Sequence, residues 1–209
     1  HPDFMQKQEV FIPRADQLTR TITDSFNLVP GNIYTMSDLI SEMIIHSDND
    51  AKDLIVKNIP YATYKEVFND LGIDIQKYDT IGNAANFLSV KQYASFFRIL
   101  YNSTFLNKQM SEYALWLLSN TTFNDGIKAG IPDSVKASHK FGERFFLNTD
   151  IKQLHDCGII YKDNTPYLLC VMTKGKDIKK MSQVIAGISK IVYTHLGQLA
   201  VLQNSSLSK

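Results

Sequence analysis

The hydrophobic pattern changes once along the chain, near Val135, and this change limits the possible folds more than any other feature. Before it, apolar residues recur at helical spacing in short segments, the clearest of which begins at Thr35. After it, segments rich in Ile, Tyr, Leu and Val predict strands at 135–140, 157–161 and 167–173. A long helix is predicted from about Ile178, and its core-facing side is formed by Met181, Val184, Ile185, Ile188, Ile191 and Val192.

The order of these elements predicts an α+β fold. A block of helices precedes three antiparallel strands, the last two joined by a hairpin turn at Asp163 and Asn164, and one helix follows. Strands with nearly all-apolar sequences should be covered on both faces. We therefore expect the final helix on one face of the sheet and the helical block on the other.

Length and composition set the broad class of the protein. The 209 residues, without repeats or linkers, predict a single domain spanning 1–209. The formal net charge of +1 gives no indication of a nucleic-acid partner, and no apolar run is long enough for a transmembrane helix. The chain begins at His1 without an initiator Met or the features of a signal peptide, so we interpret it as processed or incomplete at its N-terminus.

The two cysteines, Cys157 and Cys170, lie in apolar runs and lack the paired spacing of a zinc site. We expect two buried free thiols, with a disulfide across the hairpin as the alternative. The histidines show no metal-ligand spacing with acids or cysteines either. We therefore expect no metal and no other cofactor.

Two short polar segments are candidate functional sites. The first is the Ser-Asp-Asn segment 47–49, between two predicted helices, where such side chains also serve as caps and turn formers. The second is the His-Lys-Phe-Gly segment 139–142, which ends the first predicted strand. Each segment alone fits a purely structural role, but their order and their settings in the predicted elements together indicate function.

These segments carry a resemblance to a known family. Residues 34–51 closely resemble the region around the S-D-N motif of class A serine β-lactamases, and residues 120–132 resemble the stretch that leads to that family's K-T-G strand. Segment 139–143 falls where K-T-G should be. The resemblance runs from about residue 30 to the C-terminal helix. It implies a fold of the β-lactamase and penicillin-binding-protein kind, with the N-terminal strands and the nucleophile helix absent from this chain.

The resemblance also implies acyl-enzyme chemistry, in which a serine of an S-x-x-K motif attacks a β-lactam or acyl-D-Ala carbonyl. Ser47 would relay a proton to the leaving nitrogen, and Lys140 would lie close to Ser47 and keep the site positive. Asn49 would hydrogen-bond the side-chain amide of the substrate, and Asp48 would fix the turn. The backbone N–H of Glu143 would donate to the oxyanion.

The counterpart of K-T-G departs from the family pattern at its second position. Phe141 has no hydroxyl, so one contact to a substrate carboxylate is lost, and the residue keeps only a structural place at the site. Gly142 keeps its place in the motif, at the substrate-binding strand. Arg144, two residues further on, is our candidate for a bidentate substitute contact to the carboxylate.

The counterpart of the family's Ω-loop, residues 76–87, is a second departure. It is shorter than the family's loop and contains no glutamate, and its one acid, Asp79, is interpreted as an ordinary loop residue. In the family that the chain resembles, the glutamate of this loop activates the deacylating water. Its absence favours a persistent acyl-enzyme, which is penicillin-binding or peptidase-like behaviour rather than efficient β-lactamase turnover.

The third departure is the lack of a credible nucleophile. S-x-x-K should precede Ser47 by more residues than the chain has, and the literal match at 206–209 lies in a polar C-terminal tail and is interpreted as chance. Loss of a central helix would leave an apolar void at a cost of about 24 cal/mol per Å3. We therefore expect the missing segment to exist upstream of His1, in a separate chain or in another subunit.

The leading hypothesis is a serine hydrolase that acts on a carboxylate-bearing β-lactam or D-Ala-type peptide. One alternative is a non-catalytic β-lactamase-like scaffold that binds a peptide or protein partner. Another is hydrolysis of a different amide, as in the related serine-dependent glutaminases. The resemblance further implies an extracytoplasmic protein, periplasmic or at the cell surface.

Overall fold

The computed structural model describes residues 2–13, 28–73, 88–146, 148–163 and 165–207. The chain forms two compact units. Unit 1 comprises the described residues up to 73 together with Asn120–Thr122, and unit 2 comprises Leu88–Ser119 and the described residues from Phe123 onward. The Ser-Asp-Asn segment therefore belongs to unit 1, and the His-Lys-Phe-Gly segment belongs to unit 2.

Unit 1 is mainly helical. Its elements are α1 (Pro2–Gln6), β1 (Gln8–Val10), β2 (Ile33–Thr35), α2 (Met36–Ile45), α3 (Asn49–Lys57) and α4 (Tyr61–Asp70). The two short strands pair antiparallel. The core of unit 1 is an apolar cluster formed by Phe11, Leu28, Met36, Leu39, Ala51 and Ile55.

The start of α2 follows from a capping box, as the sequence predicts. The Thr35 hydroxyl oxygen accepts a hydrogen bond from the N–H of Asp38 at 3.1 Å, and the Asp38 carboxylate accepts one from the N–H of Thr35 at 2.9 Å. Two of the backbone donors at the helix start are satisfied in this way. The cap fixes the rotation of α2, so that Met36 and Leu39 are directed into the core.

Unit 2 combines three helices, a short 3-10 helix and an antiparallel sheet. Its elements are α5 (Val90–Tyr101), α6 (Lys108–Leu118), the 3-10 helix (Ile127–Gly130), β3 (Ala137–Phe145), β4 (Lys152–Ile160), β5 (Tyr167–Gly175) and α7 (Ile178–Leu207). The strand order is β3-β4-β5. Within the described residues, seven helices and this three-stranded sheet confirm the predicted α+β class.

Helices cover both faces of the sheet in unit 2. The ring of Tyr93 on α5 contacts His155 of β4, whereas the 3-10 helix bonds to the next residue, Asp156, and packs against α7. Because successive side chains on a strand point to opposite faces, α5 and α7 lie on opposite sides of the sheet. The predicted sandwiching of the strands is therefore confirmed.

The apolar face predicted for α7 is correct only in part. Met181 and Ile185 are buried, but Val184 is 52% exposed and Ile191 is 70% exposed. The buried side of the helix also includes Ser189, whose hydroxyl donates to the carbonyl of Ile127 at 2.9 Å. The contact with the 3-10 helix rotates α7 toward that side, so part of the apolar stripe remains uncovered by the described residues.

The prediction of two free thiols is wrong, and its alternative is confirmed. Cys157 on β4 and Cys170 on β5 lie directly opposite each other and form a disulfide. Directly opposed side chains of an antiparallel pair lie on one face about 4.5–5.5 Å apart, within reach of this bond. A shift of one residue in the pairing would separate them, and the sequence alone does not fix that register.

Candidate active site

The Ser-Asp-Asn segment forms the turn between α2 and α3. Asp48 is buried and accepts hydrogen bonds from the N–H groups of Asp50 and Ala51 at 2.8 and 3.0 Å, so it caps α3. Ser47 has a φ of 57°, in the left-handed region, which is uncommon for a residue other than glycine. Asn49, the first residue of α3, is exposed. The structure therefore holds Ser47 in a fixed turn conformation and presents Asn49 at the surface of unit 1.

Residues 120–122 fix the same turn from the other side. Thr122 donates to the carbonyl of Ile45 through both its N–H, at 3.0 Å, and its hydroxyl, at 3.2 Å. These bonds satisfy a carbonyl at the C-terminal end of α2, where four such groups lack helical partners. The stretch that resembles the approach to K-T-G thus also supports the Ser-Asp-Asn turn.

Lys140 lies on β3 in a mostly buried environment. Burial lowers the pKa of its ammonium from 10.5 to about 8, although the Asp156 carboxylate acts in the opposite direction. The ammonium nitrogen lies 3.3 Å from the carbonyl oxygen of Phe141 and 4.5 Å from the centroid of the Phe141 ring. A buried lysine with a pKa near the operating pH is typical of functional sites.

Phe141 is part of the core. It is only 5% exposed, and its ring stacks on Phe123 with centroids 4.1 Å apart. The buried ring supplies no hydrogen bond, so β3 has an apolar side chain where the K-T-G motif would place a hydroxyl.

A buried acid anchors β3 and β4, and sequence reasoning missed it. Asp156 is fully buried and lies 2.9 Å from Nδ1 of His139, which is itself 2% exposed. Its other carboxylate oxygen accepts a hydrogen bond from the N–H of Ile127 at 2.8 Å. An acidic residue directly before the apolar run 157–160 was the available signal, because a carboxylate next to buried positions requires partners.

Sequence reasoning also missed Tyr93 and His155, which both contact β3. Tyr93 of α5 donates a hydrogen bond from its hydroxyl to the carbonyl of Lys140 at 2.9 Å. Its ring meets the imidazole of His155 edge-on, with centroids 5.1 Å apart. Burial raises the pKa of Tyr93 far above its ordinary value, so the hydroxyl stays protonated and keeps donating. No pattern in the sequence connects α5 to this strand.

The remaining predicted site residues follow Lys140 along β3. Gly142 pairs with His155, Glu143 pairs with Leu154, and the guanidinium of Arg144 lies 4.9 Å from the centroid of the Phe146 ring. The structure thus brings Lys140 and residues 141–144 together on one strand of unit 2, while Ser47, Asp48 and Asn49 share one turn of unit 1. Residues 76–87 with Asp79, the turn residue Asn164, and residues 208–209 of the C-terminal S-x-x-K match lie outside the described residues.

The described ranges show neither a metal cluster nor a membrane-spanning helix. These ranges contain no group of three or more His, Cys, Asp or Glu side chains placed to hold a metal ion. None of the helices described has a stretch both long enough and apolar enough to cross a lipid bilayer.

Comparison with known proteins identifies the family of this chain. The profile of the beta-lactamase enzyme family, Beta-lactamase2, matches residues 6–196. Among the curated proteins, none matches the sequence significantly.

Solved structures agree with that assignment at the level of the fold. A mutant of PBP-A, in an acyl-enzyme complex with penicillin G, has a TM-score of 0.71 at 19% identity, covering 93% of this chain and 73% of that one. A class A β-lactamase from Mycobacterium abscessus has a TM-score of 0.72 at 20% identity, with coverages of 94% and 77%. A β-lactamase from Sphaerobacter thermophilus has a TM-score of 0.69 at 16% identity, with coverages of 93% and 74%. At these identities the similarity shows a shared fold, and because the family profile spans most of the sequence, this chain belongs to the beta-lactamase enzyme family.

Proposed function

We propose that the protein is a serine hydrolase that forms an acyl-enzyme on a β-lactam or on the amide of a D-Ala-type peptide. The observation that carries this proposal is the Lys140 ammonium. Withdrawing a cation from water is costly, and burial lowers the pKa of this one to about 8. The chain belongs to this family and keeps such a lysine at the counterpart of K-T-G. A catalytic site that uses the lysine best explains why it is kept.

The roles of the Ser-Asp-Asn turn follow from its chemistry. In the reaction a serine hydroxyl attacks the amide carbonyl, the C–N bond breaks, and the leaving nitrogen takes up a proton. Ser47 carries that proton to the nitrogen, and the cationic Lys140 favours the transfer. Asn49 binds the amide of the substrate side chain. Asp48 holds the turn through its cap on α3.

Strand β3 binds the substrate in this proposal. The N–H of Glu143 donates to the oxyanion of the tetrahedral intermediate. Gly142 keeps its place in the substrate-binding strand, and Arg144 and Lys140 attract the substrate carboxylate. The partner is therefore a small molecule or a peptide with a free carboxylate.

The nucleophile in this proposal is an S-x-x-K serine outside residues 1–209, in an upstream segment or in a complementing subunit. The stretch 76–87 contains no glutamate to activate water. We therefore propose slow deacylation, which is the behaviour of a penicillin-binding protein more than that of an efficient β-lactamase.

We propose an extracytoplasmic location for the protein. The disulfide between Cys157 and Cys170 supports it, because such bonds persist mainly in oxidising compartments. Alkylation of native cell extracts before and after reduction tests this location. Protection of both cysteines until a reductant is added is the expected result, and thiols that alkylate without reduction would contradict it.

Labelling by a fluorescent penicillin tests the catalytic roles. In the protein expressed from its complete reading frame, we expect stoichiometric covalent labelling that decays slowly. Ser47→Ala and Lys140→Ala should each lower the labelling rate by about 100-fold or more, the usual effect of removing a proton-transfer group. His195→Gln, on the exposed side of α7, is the matched control and should label at the normal rate.

The outcomes separate the leading proposal from its main alternative. If the wild-type protein binds penicillin without covalent labelling, it is a non-catalytic scaffold. If Ser47→Ala and Lys140→Ala label as fast as the control, the assigned roles are wrong.

A further inference from the structure

The Lys140 ammonium contacts its neighbour Phe141 in two ways. Its nitrogen donates a hydrogen bond to the carbonyl oxygen of Phe141 at 3.3 Å, and it lies over the Phe141 ring, 4.5 Å from the ring centroid. A cation within about 6 Å of a ring centroid is attracted by the negative charge of the ring face. The side chain of Phe141 therefore interacts with the cation as well as with the core.

The Phe141 ring is held in place for this contact. It is buried, and the Phe123 ring stacks on it with an interplanar angle of 25°. Because Phe123 covers one face of the ring, the other face is left for the ammonium. A ring enclosed in this way keeps a constant position, and the attraction between a cation and a ring is stronger where water is excluded.

Other charged and titratable groups also surround Lys140. On β4, the Asp156 carboxylate favours the cation, while His155 has its pKa lowered by burial and by the Lys140 cation and is neutral above pH 7. On α5, Tyr93 stays protonated and donates to the Lys140 carbonyl. The titratable neighbours on β3 itself are His139, Glu143 and Arg144. The Phe141 ring acts in the same direction as Asp156, against the burial that lowers the pKa of Lys140.

We propose that Phe141 is a positioning residue of the candidate site, whose ring face holds the Lys140 ammonium on β3 through a cation–π contact. This inference rests on the proposed function, because the cationic Lys140 favours the proton transfer assigned to Ser47. At the second position of K-T-G the chain has thus exchanged a hydroxyl for an aromatic ring that keeps the preceding lysine charged and in place. Weakening the charge on the ring face should therefore change the titration of Lys140, whereas a loss of packing elsewhere should not.

Replacement of Phe141 by trifluorophenylalanine in the full-length protein isolates this contact. Ring fluorines withdraw electron density from the ring face, so the attraction for a cation weakens while the ring keeps nearly its full volume. NMR of the Lys140 ε-carbon, assigned by its absence from Lys140→Met, gives the titration midpoint. We expect the midpoint to fall from about pH 8 by roughly half to one pH unit, and by less with monofluorophenylalanine. An unchanged or higher midpoint would overturn the proposal.

Phe11 provides matched controls in the core of unit 1. Like Phe141, it is almost completely buried. Trifluorophenylalanine at position 11 introduces the same fluorine atoms, and Phe11→Leu removes a ring of similar burial. Both proteins should titrate Lys140 at the wild-type midpoint, even where the fold is less stable. A fall as large as that of the Phe141 variant would show a general effect of disturbing the fold, and the cation–π contact would be rejected.

Penicillin G labelling of the same proteins between pH 6 and pH 10 separates failure of this inference from failure of the proposed function. We expect the alkaline limit of the labelling rate to move down with the NMR midpoint of Lys140. If the NMR midpoint moves but none of the proteins is labelled, the serine hydrolase proposal fails and the contact between Phe141 and Lys140 stands. If the proteins are labelled and the pH profile does not follow the NMR midpoint, the positioning role of Phe141 is overturned.

Discussion

Lys140 is the residue at which stability and the proposed activity oppose each other most directly. The unfolded chain holds its proton up to pH 10.5, whereas the folded protein releases it at about pH 8. Between these values the unfolded state binds more protons, so stability rises with pH through this range. Below about pH 8 the folded state carries the full desolvation cost of the cation.

Lys140→Met should therefore stabilise the protein while it abolishes activity. At pH 7 we expect the free energy of unfolding to increase by roughly 1–3 kcal/mol, because the buried charge is removed and the stem still packs. The gain should shrink as the pH rises from 8 to 10. Urea unfolding of both proteins at pH 7 and pH 10 measures it. A variant less stable than wild type at pH 7 would show that Lys140 is held by favourable ion pairing instead.

The same lysine sets a pH limit on activity. If the cationic form of Lys140 is needed, the rate of acylation should fall on the alkaline side with a midpoint near pH 8. Rates measured between pH 6 and pH 10 locate this midpoint. A rate that stays flat to pH 10 would exclude a requirement for the charged form.

At Ser47 stability and the proposed activity are also opposed, in this case because of the backbone conformation. Its φ of 57° costs a side-chain-bearing residue roughly 1 kcal/mol, and glycine does not carry that cost. Ser47→Gly should thus be about 1 kcal/mol more stable than Ser47→Ala in thermal or urea unfolding, although both variants lose the hydroxyl and the activity. Ser103, with a φ of 50°, is a matched control outside the candidate site. Ser103→Gly should give a similar gain in stability with unchanged penicillin labelling.

At the scale of elements, the buried pair of His139 and Asp156 holds β3, β4 and the 3-10 helix together. Asp156→Ala would leave His139 and the N–H of Ile127 without their partner, and Gly126 packs directly against the same carboxylate. We expect a loss of roughly 3 kcal/mol or more, the usual result of breaking a buried pair. Asp156→Asn keeps an acceptor and should lose less. Equal losses in the two variants would show that the cavity, not the hydrogen bonds, dominates.

The disulfide between β4 and β5 is a second link at this scale. It closes a loop with a sequence separation of 13, for which chain entropy predicts about 3 kcal/mol of stabilisation. Denaturation with and without a reductant should differ by about this amount, and Cys157→Ala combined with Cys170→Ala should lose its sensitivity to reductant. No shift on reduction would mean that the paired strands alone fix the hairpin.

Local signals in the sequence predicted the helix starts better than the strand lengths. Thr35 caps its helix as expected, because a capping box involves residues only three apart. The strands are longer than predicted: β3 runs through Arg144, and β4 begins at Lys152. Pairing with a neighbouring strand extends them through polar residues. The apolar–polar alternation of one strand does not reveal its neighbour, so the added length could not be predicted.

At the scale of the whole molecule, the sequence located motifs but not their partners. Ser47 and Lys140 were found because they stand in short segments with a family resemblance. Tyr93, His155 and Asp156 were missed because contacts between distant parts of the chain bring them to β3. The single domain spanning 1–209 and the source of the nucleophile stay predictions.

The most direct test of the central claim is intact-mass analysis of the full-length protein before and after penicillin G, followed by peptide mapping of the adduct. The account predicts a mass increase of one penicillin molecule, located on the serine of an S-x-x-K motif outside residues 1–209. The adduct should be strongly reduced in Lys140→Ala. A full-length protein that gains no mass, or an adduct that maps to Ser206 or Ser208, would contradict the account.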